Sequence, residues 1–155
     1  VSSVSVHQVL DRKGPLTGKG GLARWRREAA DAVCAIHQQM AALAQETRAV
    51  EGRRWNLCVH RQRGDARKLR WRAVEGRRLH LVWTRIEPEL GQLAPALAQW
   101  YVEAQAQREI LNHRERLARF ELKTVDHLLR SGAGRCADEP RIPEADALAA
   151  TRVPG

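Results

Sequence analysis

Between Arg53 and Arg85 the chain carries eleven basic residues against two acids, Asp65 and Glu75, a local net charge of +9. That equals the net charge of the whole 155-residue chain, so the other segments sum to zero. Only four of the 27 basic residues, Lys13, Lys19, Lys68 and Lys123, are lysines. A guanidinium is planar and permanently charged; it forks onto two phosphate oxygens at once and stacks on bases. A GC-rich coding bias raises arginine everywhere and does not gather it in one segment. The clustering therefore points to an anionic partner, DNA or RNA first. The plainer account is a solubilising face. The candidate nucleic-acid contacts are Arg54, Arg61, Arg63, Arg67, Lys68, Arg70, Arg72, Arg77, Arg78 and Arg85. Their chemistry is phosphate contact, which positions a polymer without reading its sequence.

Other constellations carry less. His113 lies four residues after Glu109 and three before Arg116, the spacing of ordinary pairing on a helix surface. It lacks the two-histidine spacing of a metalloprotease helix, so no metal is expected there. Cys34 and His37 are three apart, but a thiol nucleophile needs an exposed, acidified cysteine and an orienting partner. Cys34, on a helix, and Cys58, in a strand, read as packing residues. The three cysteines, Cys34, Cys58 and Cys136, fall in no zinc-ligand spacing and suit a reducing, cytoplasmic compartment. GKGG at 18–21 lacks the spacing of a phosphate loop. No catalytic set, and no cofactor, is therefore expected: the chain does not read as an enzyme. The N-terminal stretch has no apolar leader core, and no apolar run approaches the ~20 residues of a membrane helix, so no membrane partner is expected.

Elements that would position the arginines follow from hydrophobic periodicity. Residues 1–20 read as an N-terminal arm or loop. From Leu22 to Val50, apolar residues at Leu22, Trp25, Ala29, Val33, Ile36, Met40 and Leu43 step by threes and fours, predicting an amphipathic helix that Gly52 ends. The period then becomes two. WNLCVHR, LRWRAV and LHLVW alternate, with QRGDA and EGR as turns, predicting a three-stranded antiparallel meander over about 54–86. One face carries Trp55, Leu57, Leu69, Trp71, Leu81 and Trp83. The other carries Arg54, Asn56, Cys58, His60, Lys68, Arg70, Arg72, Arg78, His80, Val82 and Thr84. Tryptophans that share a phase with leucines pack beneath helices, unlike the open-face aromatics of RNA-recognition modules.

Pro95 suits the first position of a long helix running to about Arg130. Its stripe is Leu97, Trp100, Ala104, Leu111, Ala118, Leu122, Val125 and Leu129, with Ile110, Leu117 and Phe120 widening it. Gly132 or Gly134 ends it, and 132–155 reads as a flexible C-terminal tail. The expected architecture is α+β: one domain over 21–131 built as long helix, three-stranded antiparallel meander, long helix, with both helices on the apolar sheet face. Alternatively, the two long helices serve a scaffold or assembly role, and they are candidates to pair with a second copy as a homodimer.

GKGGLARW at 18–25, LRW at 69–71 and PALAQWYVEAQAQREILNHR at 95–114 lie in the order long helix, basic tryptophan-bearing strands, long helix. In this the chain resembles a small uncharacterised family encoded on bacterial integrative conjugative elements. The resemblance covers under a third of the chain. It implies a cytoplasmic accessory protein of a mobile element, in DNA handling or maintenance, and it brings no catalytic or binding residues with it.

Overall fold

The computed structural model describes residues 19–75 and 80–132. Helix α1 spans Lys19–Ala49, strand β1 Trp55–Arg61, β2 Arg67–Ala73 and β3 His80–Leu81. A one-turn helix α2 (Trp83–Ile86) and a 3-10 segment (Glu87–Gln92) lead into α3, Pro95–Ser131. The expected α+β arrangement is present: two long helices packed against a three-stranded antiparallel sheet ordered β1-β2-β3. The expected arm and tail, and Arg77 and Arg78, lie outside the described residues.

α1 and α3 form an antiparallel pair. Leu22, Ala29, Ile36 and Leu43 recur every seven residues on α1, and Ala104, Leu111, Ala118 and Val125 do so on α3; all eight are buried. Small residues at three of these positions let the helices approach closely. Cross-pairs run down the seam: Arg26 Nε to Asp126 Oδ1 at 2.6 Å, Trp25 Nε1 to Glu121 Oε1 at 2.7 Å and Arg114 Nη1 to Gln39 Oε1 at 3.0 Å. Pro95 opens α3, and Gly132, with φ 72°, closes it by donating to the Leu128 carbonyl. That left-handed conformation suits glycine.

The sheet lays its apolar face on this pair. Trp55, Leu57, Leu69 and Trp71 are at most 4% exposed, among Met40, Ile86 and Tyr101. Tyr101 packs edge-on against Trp55 at 5.3 Å, and its hydroxyl donates to the Trp55 carbonyl. Trp83 packs on Trp71 at 6.1 Å. The three tryptophans thus turn inward.

Four expectations are corrected. β3 is two residues long: the chain turns into α2 at Trp83, so Val82 and Thr84 leave the strand face. Trp83 still reaches the core because the first turn of α2 points it there, and a helix turn serves that purpose as well as a strand. α1 begins at Lys19, taking in Gly20 and Gly21 from the expected loop. Ile110, Leu117 and Phe120 do not widen the core stripe; they are 58%, 57% and 72% exposed. One α1 seam suffices to cover α3, and these three lie beyond its reach. Cys34 is exposed, unlike buried Cys58. It lies on the outer side of α1, and the neighbouring position that faces inward belongs to His37.

Candidate nucleic-acid interface

Strand register decides which basic residues share a surface. β1 pairs with β2 so that Asn56 opposes Arg72, Cys58 opposes Arg70 and His60 opposes Lys68; β2 pairs with β3 so that Arg72 also opposes His80. Alternate residues of a strand share a face about 6.5–7 Å apart. Lys68, Arg70 and Arg72 therefore stand in a row along the central strand. Their flanks on that face are Asn56, Cys58, His60 and His80, with no carboxylate. Among the described residues none of the three has an acidic partner within ion-pair distance. The His60 and His80 rings meet edge-on at 5.2 Å across this row. Like charges in such a row repel by on the order of 1 kcal/mol per neighbouring pair near a surface, a cost that a polyanion removes.

The other candidates distribute differently. Arg61 and Arg67 oppose each other at the hairpin end. By phase they belong to the helix side of the sheet. Arg63 sits in the turn Arg63–Asp65, where Gly64 (φ 64°) and Asp65 (φ 59°) take left-handed backbone. Arg54 lies at the far end of the sheet. Its Nη1 donates to Gln92 Oε1 at 3.2 Å and stands 3.7 Å from Glu89, so it is partly neutralised. Arg85 is exposed on α2. Register thus brings together Lys68, Arg70 and Arg72 on one face, leaves Arg63 in the hairpin turn and Arg61 and Arg67 on the opposite face, and sets Arg54 and Arg85 apart.

Helix side chains take up backbone groups that β1 and β2 leave unpaired. Thr47 of α1 accepts from the Leu57 amide at 2.9 Å. On the other side β3 is too short to pair with all of β2, and α3 takes over. Gln105 accepts from Trp71 Nε1 at 2.8 Å, Asn112 bonds both the amide and the carbonyl of Leu69 at 2.7 and 3.1 Å, and Glu115 accepts from the Arg67 amide at 3.0 Å. Glu115 is only 2% exposed and also meets His37 Nε2 at 3.2 Å, with Arg119 at 3.6 Å. Open strand edges otherwise invite pairing with foreign strands.

Two basic recesses flank the row. At the hairpin end a cleft of about 490 Å³ is lined by Arg67, Lys68, Arg108 and Arg116, but also by Glu109 and Glu115. Arg108 donates to the Leu69 carbonyl at 3.2 Å. Burial lowers the Arg108 pKa, Glu109 opposes that and the Arg70 charge adds to it; it stays protonated in any case. At the other end a notch of about 350 Å³ is lined by Arg48, Arg53, Asn56, Cys58, Arg72, Ala73 and Val74, with no acid. The Nε atoms of Arg53 and Arg72 are buried there without a hydrogen-bond partner. A buried donor left unpaired costs about 1–3 kcal/mol. Burial raises the Cys58 thiol pKa, against the opposing pull of Arg72, Arg48 and Arg70. Basic side chains thus recur from Arg48 through Arg72, Arg70 and Lys68 to Arg108, with Glu109 and Glu115 among them at the Arg108 end.

Arg48, Arg53, Arg108, Asn112 and Arg116 were not among the nucleic-acid contacts that the sequence pointed to. Arg48 reads as an ordinary favourable charge at a helix C-terminus. Arg108 and Glu115 did leave a signal: they occupy the seven-residue gaps in the α3 stripe, between Ala104, Leu111 and Ala118. Among the described residues no group of three or more histidine, cysteine or acidic side chains is placed to hold a metal, and no helix is long and apolar enough to cross a membrane. No protein-family model, curated protein or solved structure matches this chain.

Proposed function

We propose that the chain is a non-catalytic nucleic-acid-binding protein that holds DNA with low sequence specificity through the Lys68–Arg70–Arg72 face. The observation that carries this reading is the unneutralised row of cations on the central strand, on a face without a carboxylate. Low specificity follows from the chemistry: the contacts are to phosphate, and Trp55 and Trp71, instead of offering rings to bases, are in the core. A cytoplasmic setting accords with the cysteine pattern, and a mobile-element setting with the family resemblance.

The test is fluorescence anisotropy with random single- and double-stranded oligonucleotides across a salt series. Binding is expected to weaken steeply with salt, by a log–log slope of about −0.9 per phosphate contacted on duplex DNA. The double reversal Arg70→Glu/Arg72→Glu is expected to abolish it. Negligible binding at low salt rejects the reading.

One observation favours a second reading, a scaffold that pairs with its own copy. Ile110, Leu117 and Phe120 form an exposed apolar stripe on α3, and Ala106 and His113 continue it at heptad spacing. In an antiparallel pairing of two α3 helices that sets Ile110 opposite Phe120, Glu109 falls beside Lys123 and Arg116 beside its own copy. Sedimentation analysis of Phe120→Lys against the parent decides it: a dimer that the variant dissolves supports pairing, and a monomeric parent rejects it.

A further inference from the structure

The notch at the Arg53 end of the sheet differs from the other recesses in its lining. The cleft at the hairpin contains Glu109 and Glu115, and a recess beside Arg54 contains Glu75 and Glu89. The notch has three arginines from three separate elements and no carboxylate. Arg48 comes from the last turn of α1, Arg53 from the link that follows, and Arg72 from the central strand. The C-terminal end of α1 contributes the equivalent of about half a negative charge nearby, and three guanidiniums outweigh it.

Hydrogen bonding points the same way. Buried polar atoms in folded proteins nearly always find partners, and those that do not are commonly explained by a ligand or a functional role. Arg53 spends Nη1 on the Val50 carbonyl at 3.2 Å, and its Nε has no partner. Arg72 forms no hydrogen bond through its side chain among the described residues, and its Nε is likewise buried and unpaired. Turning the Arg72 fork toward a ligand therefore breaks no existing bond. Asn56 spends its Nδ2 on the Leu57 carbonyl, and its Oδ1 accepts from neither Arg53 nor Arg72. A recess of this size suits a small polar group.

We propose that Arg48, Arg53 and Arg72 form a discrete phosphate-binding notch that grips one phosphate group through paired guanidinium contacts. It shares Arg72 with the proposed DNA face but needs no polymer to be occupied. The phosphate belongs either to a nucleic-acid backbone or to a free phosphate or phosphomonoester. Bidentate guanidinium geometry serves both.

The test is NMR observation of the arginine Nε–H signals during titration with inorganic phosphate, a nucleoside 5′-monophosphate, and a dinucleotide whose one phosphate is an internal diester. The Nε–H signals of Arg53 and Arg72 are expected to shift together and saturate, with Arg27, exposed on α1, unmoved. Arg72→Gln and Arg53→Gln are each expected to weaken inorganic phosphate by about tenfold, with Arg72→Lys in between and with all three variants still folded by circular dichroism. Saturation by the dinucleotide at lower concentration than the others assigns the notch to a backbone phosphate. Tighter binding of inorganic phosphate or the monophosphate assigns it to a free ligand. Phosphate binding without oligonucleotide binding keeps the notch and removes the DNA reading. Absence of saturable shifts with all three ligands, or equal shifts at Arg27, overturns the proposal.

Discussion

Leu57, Leu69 and Trp71 alternate with Cys58, Arg70 and Arg72 along the same two strands, yet the two sets obey different rules. The first set is at most 0% exposed and meets Met40, Ile86 and Tyr101, so each side chain is held by its neighbours. On the second face, the side chains of Lys68, Arg70 and Arg72 have no ion pair among the described residues, and their like charges repel. The Trp71 face stores stability, and the Arg70 face stores electrostatic potential. A residue one position along a strand changes which of these it serves, because the side-chain period is two. Substitutions on the two faces should therefore separate folding from binding.

The largest effect belongs to the buried face. Trp71→Ala removes a side chain of 0% exposure that packs at a tilt against Trp83 and Tyr101 and bonds Gln105. Large aromatic truncations in a core cost about 3–5 kcal/mol, or on the order of 15 °C in a domain of this size. Thermal unfolding followed by circular dichroism measures it. A loss below about 1 kcal/mol breaks the contrast between the faces.

Next is the polar joint between the sheet and α3. Glu115→Ala strands the Arg67 amide and leaves His37 and Arg119 without their shared carboxylate. Removing one member of a buried charged cluster costs about 3 kcal/mol. Asn112→Ala uncaps the Leu69 amide on the β2 edge and leaves its carbonyl to Arg108 alone, and is expected to cost about 2 kcal/mol. Urea unfolding midpoints rank the two, and hydrogen exchange at the Leu69 amide reports the edge directly.

What could be read from the chain divides along the same lines. The long helices, the first two strands and the two strand faces follow from local period, because burial imposes the pattern on consecutive residues. The brevity of β3 was hidden: His80–Leu81 and the turn of α2 at Trp83 share apolar residues that fit either element. The exposure of Phe120 was hidden too, since a wide helix stripe does not say how many neighbours come to cover it. The notch was the least legible feature. Arg48, Arg53 and Arg72 meet only once α1, its following link and β2 are docked, and no spacing in the chain encodes that meeting.

Small effects are expected on the charged face. Arg70→Ala removes a partly exposed cation that lacks an acidic partner and lies beside Arg72 and Lys68. Its loss relieves repulsion while forfeiting some packing of its stem, so stability is expected to move by no more than about 0.5 kcal/mol. Oligonucleotide affinity is expected to fall in the same variant, and the salt slope to shallow by about one unit. A melting temperature that drops as far as that of Glu115→Ala would assign Arg70 a structural role instead.

The smallest effect is a pH dependence at His80. Its pKa is lowered, first by desolvation and then by Arg72, Arg70 and His60. A histidine with a depressed pKa in the folded state binds fewer protons there than in the unfolded chain, so stability rises with pH across that window. The contribution is in place above the ordinary histidine value of about 6.5 and fades as pH falls from there through the folded-state value. Because His80 is exposed, the change in melting temperature is expected to be slight, and His80→Gln is expected to flatten it. A polyanion laid on this face reverses the sign: it offsets Arg70 and Arg72, and the His80 pKa climbs on binding. NMR titration of the His80 ring with and without a short duplex measures both states. If the pKa is unchanged by a duplex that does bind, the polymer sits elsewhere, and the contrast between the two faces no longer bears on function.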